Sequence, residues 1–263
     1  MKRNGIIGAI AGDIIGSCFE FNPVKFKNFE LFNTESTFTD DSVMTLAVAS
    51  WIMDSKTTPL YVYMQEHFML YPMRGYGSHF REFLLEDTYP GPYNSFGNGS
   101  AMRVSPVGYV ANTLDECLSL AEETAVVSHN HPEGIKGAQA TAASIFLARN
   151  GKNKNEIKKY IEDTFNYDLS KNIEDIKPGY VFHVDCQESV PESIMCYLQS
   201  NSWEDTVRNA ISFGGDADTM ACIAGSIAAA TPGMEVPEEI ADRCFWILDS
   251  HLRHELNLFD DFV

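Results

Sequence analysis

Apolar residues recur every three or four positions through most of this chain, a period that indicates α-helices rather than strands. Gly, Pro, Asn, Asp, Ser and Thr separate these stretches, as expected of helix caps and turns. The pattern predicts helices over residues 4–17, 41–54, 59–70, 78–86, 113–128, 134–150, 153–165, 191–200, 203–212, 218–230 and 237–255. We therefore predict an all-α protein with a compact multi-helix fold.

The first predicted helix carries small residues along one face. Gly8, Gly12 and Gly16 follow one another at four-residue spacing, so they lie on the same side of the helix. A face without side chains lets another backbone approach closely. The basic start before this apolar run imitates a signal peptide, but Asp13 interrupts the run. Since no stretch of ~20 uninterrupted apolar residues occurs, we expect no transmembrane span.

Residues 151–187 differ in composition from their flanks, because Lys, Asn, Asp and Tyr replace small apolar residues. We predict a short amphipathic helix there, followed by an irregular connection that holds a strand near 180–184. No interdomain linker is evident, so the whole chain, 1–263, is expected to form a single domain. The 151–187 region is then a variable, insertion-like segment of that domain.

Charge restricts the partners that the protein can have. Lys plus Arg number 19 and Asp plus Glu number 37, which gives a net charge of −18. Nucleic acids and anionic membranes need a basic surface, so neither is an expected partner. A nucleotide-sized anion is still allowed where metals or backbone N–H groups neutralise it. The six cysteines form no CxxC pair and indicate reduced thiols in a cytoplasmic protein, and a monomer is favoured.

Two acidic clusters lie about 175 residues apart, each at the predicted start of a helix. Their carboxylates and hydroxyls belong to Thr39, Asp40 and Asp41 in the first cluster and to Asp216, Asp218 and Thr219 in the second. Oxygen-only ligand sets suit hard cations such as Mg2+, Mn2+ or Ca2+. Gly214 and Gly215 before the second cluster permit positive φ and close backbone approach, which a crowded metal site requires. Alternatively, the aspartates only cap helix N–H groups, and the residues alone leave both interpretations open.

The loop around residue 98 is a candidate for substrate binding. Gly97, Asn98, Gly99 and Ser100 precede an apolar segment, and this arrangement would leave backbone N–H groups free for phosphate or sugar oxygens. Phe96, directly before them, could cover a flat base or a ribose. The alternative is an ordinary turn followed by a helix cap, and the motif alone does not decide between the two.

Two further positions are candidates on chemical grounds. His129 and His131 stand beside Glu133, but without a Cys or a third His they form a poor zinc set, and we expect His129 to pack or hydrogen-bond near a ligand. Glu20 lies between two aromatic residues, where partial burial would raise its pKa as an acid or base requires. A surface Glu in a loop is the alternative. The remaining histidines are scattered through the sequence and indicate no site.

Taken together, these segments resemble the ADP-ribosylglycohydrolase family. The matching segments are, in chain order, 8–16 with Glu20 after it, 39–41, 97–103, 128–132 and 214–219. They follow the family's order from residue 5 to about residue 233, and five ordered motifs are more specific than any one of them. The 151–187 region matches no motif of the family.

The resemblance implies an all-helical fold around a binuclear centre of two Mg2+ or Mn2+ ions. It implies that the metal ligands are Thr39, Asp40, Asp41, Asp216, Asp218 and Thr219. It also implies a hydrolase of N- or O-glycosyl bonds that reverses ADP-ribosylation. Its substrate would be ADP-ribose joined to a protein side chain such as arginine, or to another acceptor.

The implied mechanism divides the remaining roles among candidate residues. Cleavage at the anomeric carbon builds oxocarbenium character on the ribose, and one carboxylate would move the proton of the attacking water or assist the leaving group. The candidates for that carboxylate are Asp41, Asp40 and Glu20. The 97–100 amides, Phe96 and His129 would hold the ADP-ribose.

Two alternatives to this function remain from the sequence. A catalytically inactive relative could keep the scaffold and bind ADP-ribose, although every matched metal position holds its oxygen ligand. An all-oxygen two-metal site would serve a metal-dependent phosphohydrolase equally well. The acceptor is not encoded in any motif, and we expect it to depend on residues 151–187 and on the loop at 86–96.

Overall fold

The computed structural model describes residues 5–263, so the predicted start of the first helix at residue 4 lies outside the described residues. Regular secondary structure in the described range is helical, and the all-α prediction is confirmed. The helices are α1 (Ile7–Gly16), α2 (Asp40–Met53), α3 (Leu60–Leu70), α4 (Ser78–Leu85), α5 (Gly99–Met102), α6 (Ser105–Val110), α7 (Leu114–Val126), α8 (Pro132–Arg149), α9 (Lys154–Phe165), α10 (Ile173–Ile176), α11 (Cys186–Leu198), α12 (Trp203–Ile211), α13 (Ala217–Ala230), α14 (Glu238–Ile247) and α15 (Ser250–Phe262).

The tightest packing in the molecule joins α1 to α13. A Cβ added at Gly8 would lie 2.6 Å from the carbonyl oxygen of Gly225, and one at Gly12 would lie 2.1 Å from that of Ala221. Real Cβ atoms do not come so close, so the predicted glycine face is confirmed as a contact between two backbones. The pairing is antiparallel, since Gly16 at the end of α1 meets the first turn of α13.

These two helices form the centre of the fold. Every residue of α1 is buried, and so is nearly all of α13, which also packs against α8, α11 and α12. A second group of packed helices surrounds α2, which contacts α1, α3 and α15. Among the described residues, no helix is both long enough and apolar enough to cross a bilayer.

Local signals in the sequence account for several helix starts. Thr39 caps α2 by accepting a hydrogen bond from the N–H of Asp41, and Thr113 caps α7 through the N–H of Glu116. Pro132 opens α8, as its fixed φ and missing N–H favour. Helices α2 and α7 begin within one residue of their predicted starts, whereas α8 begins two residues before its predicted start at 134.

Three predictions about elements were wrong. Residues 180–184 form no strand, and an isolated bridge joins Gly97 to Asp185 instead. Helix α11 begins at Cys186 rather than at 191, because Asp185 caps it through the N–H of Glu188 and Pro191 is tolerated inside it. The predicted helix over 237–255 is two helices, since Leu248 is extended and a new cap follows it.

A lysine fastens the irregular segment after α1 to the rest of the molecule. The Nζ of Lys25 donates hydrogen bonds to the carbonyl oxygens of Lys177 at 2.8 Å, Tyr180 at 2.6 Å and Phe213. These three carbonyls come from the turn at Lys177–Gly179, from the segment after it and from the residues that follow α12. The lysine therefore holds together two loops that flank the start of α13.

Candidate metal centre and substrate cleft

Carboxylates from four segments meet where α1 ends and α13 begins. They come from α1, from the turn after α1, from the first turn of α2 and from the start of α13. The six residues are Asp13, Glu20, Asp40, Asp41, Asp216 and Asp218. The antiparallel packing of α1 against α13 brings residues together that lie some two hundred positions apart in the sequence.

These carboxylates form two overlapping groups of three. One oxygen from each of Asp13, Asp41 and Asp218 lies within 4.8 Å of the others, and the same is true of Glu20, Asp216 and Asp218. Asp218 belongs to both groups. All three residues of the first group are buried. In the second group Asp216 and Asp218 are buried, and Glu20 is partly exposed to solvent. Such clusters of acidic oxygens could bind metal ions.

The two predicted threonines lie in the same cluster. The hydroxyl of Thr39 donates to Oδ1 of Asp13 at 2.7 Å and lies 3.4 Å from Oδ2 of Asp41. The hydroxyl of Thr219 donates to the same Asp41 oxygen at 3.2 Å.

Asp40 differs from the other carboxylates, because it lies outside both groups of three and is partly exposed at the wall of a cleft.

Asp13 lies in the matching segment 8–16 but was not predicted as a site residue. Its carboxylate is fully buried and accepts hydrogen bonds from the N–H and hydroxyl groups of Thr39 and Ser42. It thereby fixes the first turn of α2 against α1. The available signal was a single carboxylate inside an otherwise apolar helix, a placement that costs free energy unless a partner compensates it.

Burial and mutual repulsion raise the pKa values of the cluster. Burial, followed by the charges of neighbouring carboxylates, holds the pKa values of Asp41 and Asp218 well above the usual Asp range. Burial together with the charges of Asp218 and Asp13 raises the pKa of Glu20 to about 8, and burial raises that of Asp216 to about 6. No Lys or Arg is among the described residues that line the cleft. Protons or metal ions must therefore neutralise these groups.

Two observations favour metal ions over helix capping. The Oδ1 atom of Asp41 is buried with no hydrogen-bond partner, which leaves a lone pair free for a cation. Asp216 stands at the N-cap of α13 but makes no capping hydrogen bond; its Oδ2 accepts from Nδ2 of Asn98 at 2.7 Å instead. Because the donor atoms are all oxygens, the residues present fit a hard divalent cation.

A cleft of about 450 Å3 opens above the carboxylates. Its lining comes from Glu20, Asp40 and the start of α13 on one side, from residues 75–80 on another, and from the loops at 93–99 and 182–184 on the rest. The 86–96 loop and the 151–187 region thus both reach the cleft. The volume lies in the range of small-molecule sites.

The loop around residue 98 borders the cleft, and its Asn98 also donates a hydrogen bond to Asp216. Its N–H groups are partly used, since that of Asn98 donates to the carbonyl of Val184 and that of Gly97 to the hydroxyl of Ser95. The N–H groups of Gly99 and Ser100 lie in the first turn of α5, where no partner exists within the helix. The predicted cradle is therefore reduced to these two amides.

Ser100 is buried, whereas His129 borders the cleft. The Ser100 hydroxyl is buried and donates to the carbonyl of Gly134, so it joins α5 to α8. His129 lines the cleft, with Nδ1 2.7 Å from the hydroxyl of Ser128. Burial, and then the charge of Arg103, hold the pKa of His129 well below its usual value. A neutral imidazole therefore faces the loop.

The aromatic lining differs from the predicted one. Phe96 is half exposed with its ring 5.3 Å from that of His131, and it is not among the described residues that line the cleft. Phe21 and Phe182 do line it, with ring centroids 6.3 Å apart and planes inclined by 24°. Phe21 is 78% exposed, so this pair presents an open flat face beside the carboxylates.

Comparison with known proteins identifies the family of the chain. The model of the ADP-ribosylglycohydrolase family matches residues 3–260, and the chain belongs to this family. ADP-ribosylhydrolase ARH3 of Mus musculus is 25% identical over 322 aligned residues, which cover 92% of this chain and 86% of that protein. The ADP-ribosylarginine hydrolase Tri1 of Pseudomonas putida (strain GB-1) is 27% identical over 162 residues, or 57% of this chain and 42% of that protein.

A solved structure described as an ADP-ribosylglycohydrolase-related protein complex has the same fold. It superposes with a TM-score of 0.72 at 20% sequence identity, and the match covers 98% of this chain and 95% of that one. At this identity the likeness concerns the helical architecture alone.

Proposed function

We propose that the protein is a metal-dependent hydrolase that cleaves the glycosidic bond between ADP-ribose and an acceptor. The observation that carries this proposal is the pair of carboxylate groups that share Asp218 at the floor of an open cleft. Membership of the ADP-ribosylglycohydrolase family supplies the substrate class. The proposed acceptor is an arginine side chain of a modified protein, supported by the similarity to an ADP-ribosylarginine hydrolase.

The proposed cofactors are two Mg2+ or Mn2+ ions. Their ligands would come from the two carboxylate groups and the two threonine hydroxyls: Asp13, Asp41, Asp218, Glu20, Asp216, Thr39 and Thr219. When bound, such ions supply Lewis acidity toward ribose hydroxyls and water. Asn98 would fix the orientation of the Asp216 carboxylate through its amide.

Proton transfer falls to the carboxylates that face the cleft. Asp40 and Glu20 line it and are partly exposed, whereas Asp41 also lines it but is only 2% exposed, and its Oδ2 accepts a hydrogen bond from the hydroxyl of Thr219. We therefore place Asp41 among the ligands and give the role of general acid or base to Asp40, or to Glu20 where the other carboxylates hold the ions without it. Either group could reach a water or a leaving atom at the ribose.

The walls of the cleft would bind the two ends of the substrate. The stacked pair of Phe21 and Phe182 offers a face for the adenine or a ribose, a role that the sequence had given to Phe96. His129 and the amides of Gly99 and Ser100 would lie against ribose or phosphate oxygens. Segments 86–96 and 180–184 border the cleft and would determine the acceptor.

A release assay tests the proposal. Peptides or small molecules that carry ADP-ribose on arginine, serine or an acetyl ester are incubated with the protein in Mg2+ or in EDTA, and the products are separated. We expect intact ADP-ribose from the arginine peptide in Mg2+ and none in EDTA. Asp218→Asn should lower the rate by about 10³-fold or more, because it removes a ligand from both groups at once.

Other products would identify the alternatives. AMP or inorganic phosphate would show a phosphohydrolase and contradict the proposal. Tight ADP-ribose binding without release from any linkage would show an inactive relative. Release from serine or the ester alone would keep the glycohydrolase and change its acceptor.

A further inference from the structure

Two helices bring two histidines and a glutamate together at a second cavity. His67 lies on α3, His251 and Glu255 lie one turn apart on α15, and Ser50 on α2 lies beside them. One donor atom from each of His67, His251 and Glu255 lies within 4.8 Å of the others. They line a cavity of about 770 Å3 that shares no lining residue with the substrate cleft. The sequence separates these histidines by 184 positions and indicated no site.

The hydrogen bonds of His67 require a positively charged species beside one of its ring nitrogens. Its Nδ1 lies 2.8 Å from the carbonyl oxygen of Tyr63, and since a carbonyl only accepts, Nδ1 must carry a proton. The other nitrogen, Nε2, lies 3.1 Å from each carboxylate oxygen of Glu255. In a neutral ring Nε2 holds a lone pair, which the carboxylate would repel. A positive species must therefore lie between them, either a second proton or a metal ion.

The distances suit a small tetrahedral ion. Zinc ligands at about 2.1 Å in tetrahedral arrangement lie about 3.4 Å from one another. The Glu255 carboxylate is 3.1 Å from the Nε2 of His67 and 3.9 Å from that of His251, so the two separations bracket this value. His67 and Glu255 are buried, while the His251 side chain is 46% exposed and free to close the remaining gap.

The surroundings are those of ligands held in place by further hydrogen bonds. The Tyr63 carbonyl orients His67, and the Ser50 hydroxyl donates to Oε1 of Glu255 at 2.8 Å. Metal-binding histidines usually donate their other N–H to such an acceptor, which fixes the ring and its tautomer. The ring of Tyr71 lies beside that of His251, with centroids 6.4 Å apart and planes inclined by 18°.

We propose that His67, His251 and Glu255 bind a divalent ion of the Zn2+ type, with a fourth position open to the cavity. Two imidazoles and one carboxylate favour Zn2+ over Mg2+, which prefers oxygen ligands. The ion would join α15 to α3 at the far end of α2 from the carboxylate centre. Its site is therefore distinct from the proposed Mg2+ or Mn2+ site in both ligands and position.

Calorimetric titration of the full chain with Zn2+ tests this proposal, with excess Mg2+ present to occupy the carboxylate centre. We expect one equivalent of Zn2+ to bind to the wild type and to Asp218→Asn. Because even outer contacts of a metal site change affinity by about 10- to 100-fold, His251→Ala should weaken binding at least tenfold. His251 is half exposed, and the buried pair of His67 and Glu255 stays intact in that variant.

A matched control lies on the same helix. His254→Ala removes an exposed imidazole of α15 outside the cluster and should leave Zn2+ affinity unchanged. Co2+ in place of Zn2+ should give the visible absorption of a tetrahedral nitrogen and oxygen site, absent in His251→Ala. Equal Zn2+ affinity in wild type and His251→Ala, or no stoichiometric binding at all, would overturn the proposal and leave a protonated His67 paired with Glu255.

Discussion

Single side chains in this site act mainly by fixing other side chains. Asn98 shows this clearly, since its Nδ2 donates to Oδ2 of Asp216, and both residues line the cleft. Motif reasoning had given Asn98 to the substrate, because its spacing in the loop reveals nothing of a carboxylate 118 positions away. Because of this hydrogen bond, we propose that Asn98 positions a proposed metal ligand, while it also lines the cleft.

Substitution of Asn98 should therefore weaken metal binding before it affects substrate binding. Asn98→Ala leaves the Asp216 carboxylate without its amide donor, and we expect Mg2+ affinity and turnover to fall by about 10- to 100-fold. Activity should return in part at high Mg2+, which a purely structural defect would not allow. Asn155→Ala, at an exposed position on α9, is the control. A lowered maximal rate that no Mg2+ concentration restores would contradict this role.

The aromatic residues permit a direct comparison of two assignments. Phe182 lines the cleft beside Phe21, whereas Phe96 packs against His131 outside it. Stacking of a base on an aromatic ring contributes about 1–3 kcal/mol. Phe182→Ala should therefore raise KM for an ADP-ribosylated peptide by about 5- to 150-fold, while Phe96→Ala should change it little. Steady-state kinetics of the two variants distinguish the two assignments. A larger rise in KM for Phe96→Ala than for Phe182→Ala would show that Phe96 contacts the substrate.

The sequence predicted those site residues that are neighbours along the chain. Asp40 and Asp41, like Asp216 and Asp218, were recognisable because each pair stands with a threonine at the start of a helix. Asp13 was not, because its partners Thr39 and Ser42 are remote in sequence. The His67 cluster was missed for the same reason.

At the scale of elements, the glycine face of α1 determines how close the two halves of the site come. The spacing of Gly8, Gly12 and Gly16 predicted a close backbone partner, and α13 is that partner. Which helix it would be could not be read from spacing alone. The Gly-Gly pair before α13 was read correctly, since Gly214 has a φ of +66° and a Cβ at Gly215 would lie 2.5 Å from the ring of Tyr180.

Gly12→Ala should be destabilising even though Ala is the better helix former. The new Cβ would lie 2.1 Å from the carbonyl oxygen of Ala221, so α1 and α13 must separate. Overpacking of this kind costs about 1–3 kcal/mol or more, and we expect the midpoint of thermal unfolding to fall by about 5 °C or more. Activity should fall as well, because the two carboxylate groups lie across this contact.

Gly179→Ala provides the matched control, since no atom lies within 4 Å of a Cβ at that position. Its unfolding midpoint should stay within about 1 °C of the wild type. Unchanged stability of Gly12→Ala would show that the two helices are not held as closely as described.

At the scale of the whole molecule, the acidity of the chain is concentrated at one buried point. Exposed acidic residues are screened by water and salt, but the cluster on α1, α2 and α13 is not, and its repulsion opposes folding. The net charge of −18 thus predicted that the protein has no polyanionic partner, but it did not indicate where the carboxylates cluster in the fold. Metal binding and folding stability are therefore expected to be linked.

The pH dependence of this linkage has a defined sign. Glu20 has a pKa of about 8 in the folded chain against an ordinary value of 4.5, and Asp216 one of about 6 against 3.8. Groups with raised pKa values support folding when protonated, so in EDTA their contribution is complete below about pH 4 and is lost as the pH rises toward 8. We expect the metal-free unfolding midpoint to decline from pH 5.5 to pH 8.

Mg2+ should reverse this decline, because it replaces the protons that the cluster gives up. At 100 times its dissociation constant one bound ion adds about 2.7 kcal/mol to the free energy of unfolding, which raises the midpoint by about 5–10 °C at pH 8. The increase should be smaller at pH 5.5, where protons compete for the same oxygens. Differential scanning calorimetry at both pH values measures it, with Asp218→Asn as the variant that loses the effect. Equal stabilisation by Mg2+ at both pH values would mean that these carboxylates do not hold the ion.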